Sequence, residues 1–141
     1  MNREIENIVI HCSATKPSME IGSREIRSWH LAKGWRDIGY HFVIRRNGKI
    51  ELGRSVAIRG AHVRGHNATS IGICYVGGIA ENGDPEDNRT AEQIKSLEFL
   101  VSLLWAIWPD AEVLGHRDFP DVCKACPCFD VQDWLESFRS S

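Results

Sequence analysis

Apolar and polar positions along this chain switch between a strand-like and a helix-like period. Residues 8–12 (IVIHC) form a short continuous apolar run, the pattern of a buried strand. Ser23 is placed to cap a helix in which Ile26, Trp29, His30 and Lys33 share one side, with Gly34 as its stop. Residues 39–53 (GYHFVIRRNGKIELG) carry β-rich arms around Asn47-Gly48, the dipeptide favoured by a type I′ hairpin turn. Residues 70–76 (SIGICYV) read as another buried strand, and 81–89 (ENGDPEDNR) as a polar loop.

Thr90 and Gln93 make a capping box, and Ile94, Leu97, Leu100, Val101, Leu104 and Trp108 then keep helical spacing until Pro109. Residues 111–114 (AEVL) predict a last strand that delivers His116 just beyond its end. Asp130 caps a closing helix with Val131, Trp134, Leu135 and Phe138 turned inward. The interleaving predicts an α/β fold with a single mixed β-sheet flanked by about three helices. No repeat or Pro/Ser/Gly-rich linker divides the 141 residues, so one domain over 1–141, acting as a monomer, is expected.

Composition narrows the function. A hydrophobic fraction of 43% is ample for a packed core. The formal charge of −2 gives no basic footprint, which argues against nucleic acid as a partner. No run approaches the ~18 apolar residues of a membrane span. The opening MNREIENIVIHC has acidic residues and only a short apolar run, unlike a secretory signal. The expectation is a protein that is cytoplasmic as synthesised, in a reducing compartment that disfavours disulfides among its five cysteines.

The candidate chemistry lies in histidines and thiols. His11 sits in an apolar strand, where a hydrogen-bonded structural imidazole is the commoner case. His116 lies in a Gly-His-Arg-Asp loop, better ground for function. His30 and His41 read as structural or solvated, and Cys74 as a small buried hydrophobe. Near the C-terminus, GHRDFPDVCKACPCFD (115–130) allows three arrangements. His116, Cys123, Cys126 and Cys128 could close a structural zinc knot, although Cys126-Pro127-Cys128 is an awkward clamp. Cys123 and Cys126 could be a redox pair. One cysteine could instead join histidines from elsewhere in the chain. The local pattern leaves all three open.

The blocks VIHCSATKPS, REIRSWH, GWRDIGYHFVIRRNGKIELGR, SIGICYVGGI and KACPCFDV, in order from about Asn7 to Trp134, resemble the zinc-dependent N-acetylmuramoyl-L-alanine amidases. Within that family the chain is similar to phage lysozymes of the T7 type, and more distantly to peptidoglycan recognition proteins. The resemblance implies Zn2+ held by His11, His116 and Cys126. It implies catalytic roles for Tyr40, at the hairpin entry, and Lys124, two residues before the cysteine. It places His62, in GAHVRGHN, along the substrate groove. Cys123 and Cys128 are extra thiols flanking the implied ligand.

Three ligands leave one zinc position open, the arrangement of a catalytic rather than a structural site. The expected activity is hydrolysis of the amide between N-acetylmuramic acid and the L-alanine of the stem peptide, with peptidoglycan as partner. An enzyme without a signal peptide would reach that substrate only after release or delivery. Two rivals are a non-catalytic peptidoglycan-binding protein of the same fold and a thiol oxidoreductase using Cys123 and Cys126.

Overall fold

The computed structural model describes residues 3–120, 122 and 124–139. Its strands are β1 (Asn7–Cys12), β2 (Phe42–Ile44), β3 (Ile50–Leu52), β4 (Ser70–Tyr75) and β5 (Glu112–Gly115), and its helices α1 (Ser23–Ala32), α2 (Ala91–Ile107) and α3 (Val131–Arg139). The five strands form one sheet in the order β3-β2-β4-β1-β5. β1 lies between β4 and β5 and is parallel to both, β2 is parallel to β4, and β3 runs antiparallel at the edge. The sheet is therefore mixed and helix-flanked, as the interleaved pattern predicts.

Strand alternation divides the sheet into two unlike faces. Ile8, Ile10 and Cys12 of β1, with Ile71, Ile73 and Tyr75 of β4, join the main core against Leu97, Leu100 and Leu104 of α2 and Trp134 and Leu135 of α3. On the other face, Val43 and Cys74 pack with Ile26 of α1 and with Ile21 and Ile38, while Val9 packs with Val63 and Phe119. Cys74 is wholly buried there, the small hydrophobe its context suggests.

Most caps match their sequence signals. The Thr90 hydroxyl accepts from Gln93 N–H at 3.0 Å, and Gln93 Oε1 accepts from Thr90 N–H at 3.0 Å. The Asp130 carboxylate accepts from Asp133 N–H at the start of α3. Two local expectations change. The first helix is capped at Gly22, not Ser23, because its free N–H groups find carboxylates: Glu25 accepts from Gly22 and Glu51 of β3 from Ser23. The hairpin turn is not type I′, since only Gly48 (φ 87°) and not Asn47 is left-handed. Gly48 N–H donates to Arg45 C=O and Arg45 N–H to Lys49 C=O, which makes a three-residue loop with the left-handed residue last.

Candidate metal centre and cleft

His11 follows Ile10 in β1, so the pleat turns its ring away from the main core, to the face Val9 shares. The ring is 1% exposed. It is surrounded by Tyr40, His62 and His116, at centroid separations of 5.1, 4.9 and 4.6 Å. β5 is hydrogen-bonded alongside β1 and ends at Gly115, so His116 emerges next to His11.

The cysteine arrives from a loop docked by long-range contacts. Arg117 N–H donates to Cys126 C=O at 2.9 Å, which ties the loop to the turn holding His116. The Tyr75 hydroxyl donates to Pro127 C=O at 2.6 Å. Gly115 lets Pro127 approach, for a Cβ there would stand 2.8 Å from the proline ring. Cys12 N–H points at Cys126 Sγ from 3.2 Å, a donor suited to a sulfur that carries negative charge.

One donor atom each from His11, His116 and Cys126 lies within 4.8 Å of the others. Among the described residues this is the group of His, Cys and carboxylate side chains close enough to hold a metal ion. Its chemistry suits one. Burial, followed by the charges of His62, His116 and Lys124, holds the His11 pKa well below the ordinary imidazole range. Burial and then Lys124 lower that of His116. Both rings are thus neutral at neutral pH, the form that ligates metals. Two imidazoles and a thiolate match the donor preference of zinc.

The group lies on the floor of a cleft of about 440 Å³, walled by Ile26, Trp29 and His30 of α1, by Lys33 at its C-cap, by Trp35 and Tyr40, and by His62 and Lys124. Trp29 and Trp35, both in its lining, are 41% and 37% exposed. The shared side of α1 that the sequence suggests is therefore a cleft wall as much as a core face. Tyr40 is half-buried against His11, and burial, then Cys74, Cys126 and Cys12, push its phenol well above the ordinary value. It remains a protonated donor through the physiological range.

The other candidates sort themselves by contacts. His30 Nδ1 accepts from Gly39 N–H, and His41 is bonded to Gly72 N–H and Ile58 C=O, so both are structural. Cys128 turns away from the group, its sulfur 3.9 Å from that of Cys12. Cys123 lies outside the described residues, and with it the test of the Cys123–Cys126 pair. Sequence reasoning did not reach Trp29, Lys33 and Trp35 as cleft residues. The tryptophans' signal is faint: two large apolar rings on or just after α1, both left exposed.

Comparison with known proteins agrees with this geometry. Residues 1–129 match the family model described as N-acetylmuramoyl-L-alanine amidase. The endolysin of Enterobacteria phage K11 is 46% identical over 135 residues, covering 96% of this chain and 88% of that protein. The endolysin of Escherichia phage T7 is 46% identical over 129 residues, covering 92% and 84%. Among solved structures, the amidase LysC from Clostridium intestinale superposes with a TM-score of 0.83 at 27% identity, covering 98% of this chain and 87% of that one. With sheet order, cleft and matched length in accord, the chain belongs to the N-acetylmuramoyl-L-alanine amidase family.

Proposed function

We propose that this protein is a zinc-dependent endolysin-type amidase. It hydrolyses the amide between the lactyl group of N-acetylmuramic acid and the L-alanine of the peptidoglycan stem, with residues 1–141 acting as one monomeric catalytic unit. The observation that carries the reading is the His11–His116–Cys126 group on the floor of an open cleft, in a chain of this family. These three side chains would hold the ion. Zinc bound there supplies a Lewis acid that polarises a carbonyl and brings the pKa of a water molecule to around 7.

The remaining steps belong to the chain. Trp29 and Trp35 offer apolar faces to the substrate, and Lys33 and Lys124 bring positive charge to a cleft lining that holds no carboxylate among the described residues. Lys124 is the donor for the carbonyl oxygen as it gains negative charge, the role whose loss typically costs 10²–10³ in kcat. Tyr40, kept protonated by burial, donates a hydrogen bond beside His11 and orients the reacting groups. A non-catalytic binder of the same fold would have no use for a complete His-His-Cys set beside a lysine.

The substrate lies in the cell wall, and no helix among the described residues is long and apolar enough to cross a membrane. The deciding experiment is chelation of the purified protein followed by zinc titration, with released stem peptides counted on isolated peptidoglycan. Activity is expected to vanish with the metal and return with stoichiometric zinc. A metal-loaded protein that releases no stem peptide overturns the amidase reading.

A further inference from the structure

His62 has contacts that a groove residue does not need. It is only 9% exposed, and both of its ring nitrogens are committed. Nδ1 lies 2.9 Å from His11 Nε2, and Nε2 lies 3.2 Å from the hydroxyl of Ser70, itself wholly buried. The other nitrogen of His11, Nδ1, faces Cys126 Sγ at 3.9 Å. A chain of contacts thus runs from the candidate ligand group through His11 and His62 into the sheet at Ser70.

The surroundings are shaped for this ring. Gly72 occupies the middle of β4, where glycine is unfavourable and commonly marks a close approach. A Cβ on Gly72 would stand 2.7 Å from His62 Cγ and Cδ2, and one on Gly60 would stand 2.8 Å from Cδ2. The backbone on either side is pinned as well, because Asn67 Oδ1 accepts from both His62 N–H and Val63 N–H at 2.9 Å. His41 provides the contrast. It is buried in the same region but satisfies its nitrogens on main-chain groups, Gly72 N–H and Ile58 C=O. His62 spends one nitrogen on a candidate ligand instead.

We infer that His62 is a positioning residue: its Nδ1 accepts the Nε2–H of His11, which leaves His11 Nδ1 as the nitrogen that binds metal, while Ser70 accepts the Nε2–H of His62 and so fixes the tautomer that can do this. The inference rests on the metal reading of His11 above. Metal-bound histidines usually give their second N–H to an oxygen acceptor, and loss of such a partner typically weakens metal affinity 10–100-fold. Here a second imidazole fills that place, with a serine behind it. Its border on the cleft is then a consequence of standing behind His11.

The test uses the full-length protein in four variants and three readouts: zinc affinity by competition with a chromophoric chelator, ring tautomers by 15N NMR, and kcat and KM on a soluble muropeptide. His62→Phe keeps a ring under Gly72 but removes the acceptor. It is expected to bind zinc about 10–100-fold more weakly, to lose the fixed His11 tautomer, and to lower kcat with little change in KM. His62→Asn retains an acceptor near the Nδ1 position and is expected to recover most of the affinity. Ser70→Ala should weaken zinc binding less than His62→Phe and leave His62 as a mixture of tautomers. Gly72→Ala, which displaces the ring without deleting a polar atom, should act in the same direction as His62→Phe. If His62→Phe binds zinc as tightly as the unaltered protein and His11 keeps its proton on Nε2, the inference is overturned while the metal reading stands. If the unaltered protein takes up no zinc, both fall.

Discussion

The two faces of the sheet are made by the same strands and have opposite chemistry. β1 sends Ile8, Ile10 and Cys12 into an apolar core covered by α2 and α3, and Val9 and His11 to the other side. On the core face the strand and helix contacts are almost all hydrocarbon. On the cleft face, four histidines (His11, His30, His41 and His62) are each less than 10% exposed, two of them bonded to main-chain groups and two to one another. A dry hydrocarbon layer behind the sheet fixes the strands rigidly, which lets the front carry buried polar groups that would weaken a fold relying on them. Stability and chemistry are thereby separated across the thickness of one sheet.

If that separation holds, substitutions on the two faces should affect different observables. The largest effect belongs to Cys126→Ser, expected to abolish zinc binding and peptidoglycan hydrolysis together. Cys128→Ser, whose sulfur faces Cys12 rather than the ligand group, should keep both. Metal stoichiometry by elemental analysis decides it, and zinc retained by the Cys126 variant would mean that the wrong sulfur has been chosen. Leu100→Ala, behind the sheet and 1% exposed, should cost about 2–5 kcal/mol in denaturant unfolding and leave the zinc affinity of the folded protein unchanged. A parallel loss of zinc affinity there would show that the faces are coupled.

Acid should act through the front face. Burial holds the folded-state pKa of His41 at about 4, against an ordinary value of 6.5. The unfolded chain therefore takes up a proton that the folded one refuses. The stabilisation is complete above pH 6.5 and is lost as pH falls towards about 4. Across that window His41 contributes a slope of about 1.4 kcal/mol per pH unit in the metal-free protein. Urea titrations at stepped pH on the native chain and on His41→Gln measure it, the variant being expected to show a shallower slope. Equal slopes would remove His41 from the account.

The same division explains what could be read from the sequence. Periodicity reports a face that contacts its own neighbours, so α2 with Leu97, Leu100 and Leu104, and α3 with Trp134 and Leu135, were visible from spacing alone. The floor of the cleft was not, because no local pattern tells which cysteine joins His11. That choice is made by Tyr75 reaching Pro127 across 52 residues and by Arg117 holding the Cys126 carbonyl. Only the resemblance of the KACP block to a known family singled out Cys126 beforehand. The cap of α1 was hidden for a similar reason, since Glu51, which holds Ser23 N–H, comes from the hairpin 28 residues away. Gly72 is a further local sign, a glycine inside a buried strand whose purpose becomes clear beside the His62 ring.

The smallest expected effect tests how finely the core face is built. Thr90 Oγ1 accepts from Gln93 N–H at 3.0 Å and donates to Arg46 C=O at 2.8 Å. Gln93, fully buried, passes the connection on, its Nε2 donating to Ile44 and Val76 carbonyls at 3.2 and 2.8 Å. The cap of α2 is therefore also a clamp on β2 and on the chain leaving β4. Thr90→Ala removes the hydroxyl but leaves the Gln93 amide in place, so about 1 kcal/mol of stability should be lost. Thr90→Ser, which keeps an oxygen that can accept and donate, should restore most of it. Gln93→Ala is expected to cost more than Thr90→Ala, because it strips a buried donor from two carbonyls at once. None of the three should alter zinc affinity. A cap variant that did would place the ligand group's support in α2, and the hydrocarbon layer would no longer insulate one face from the other.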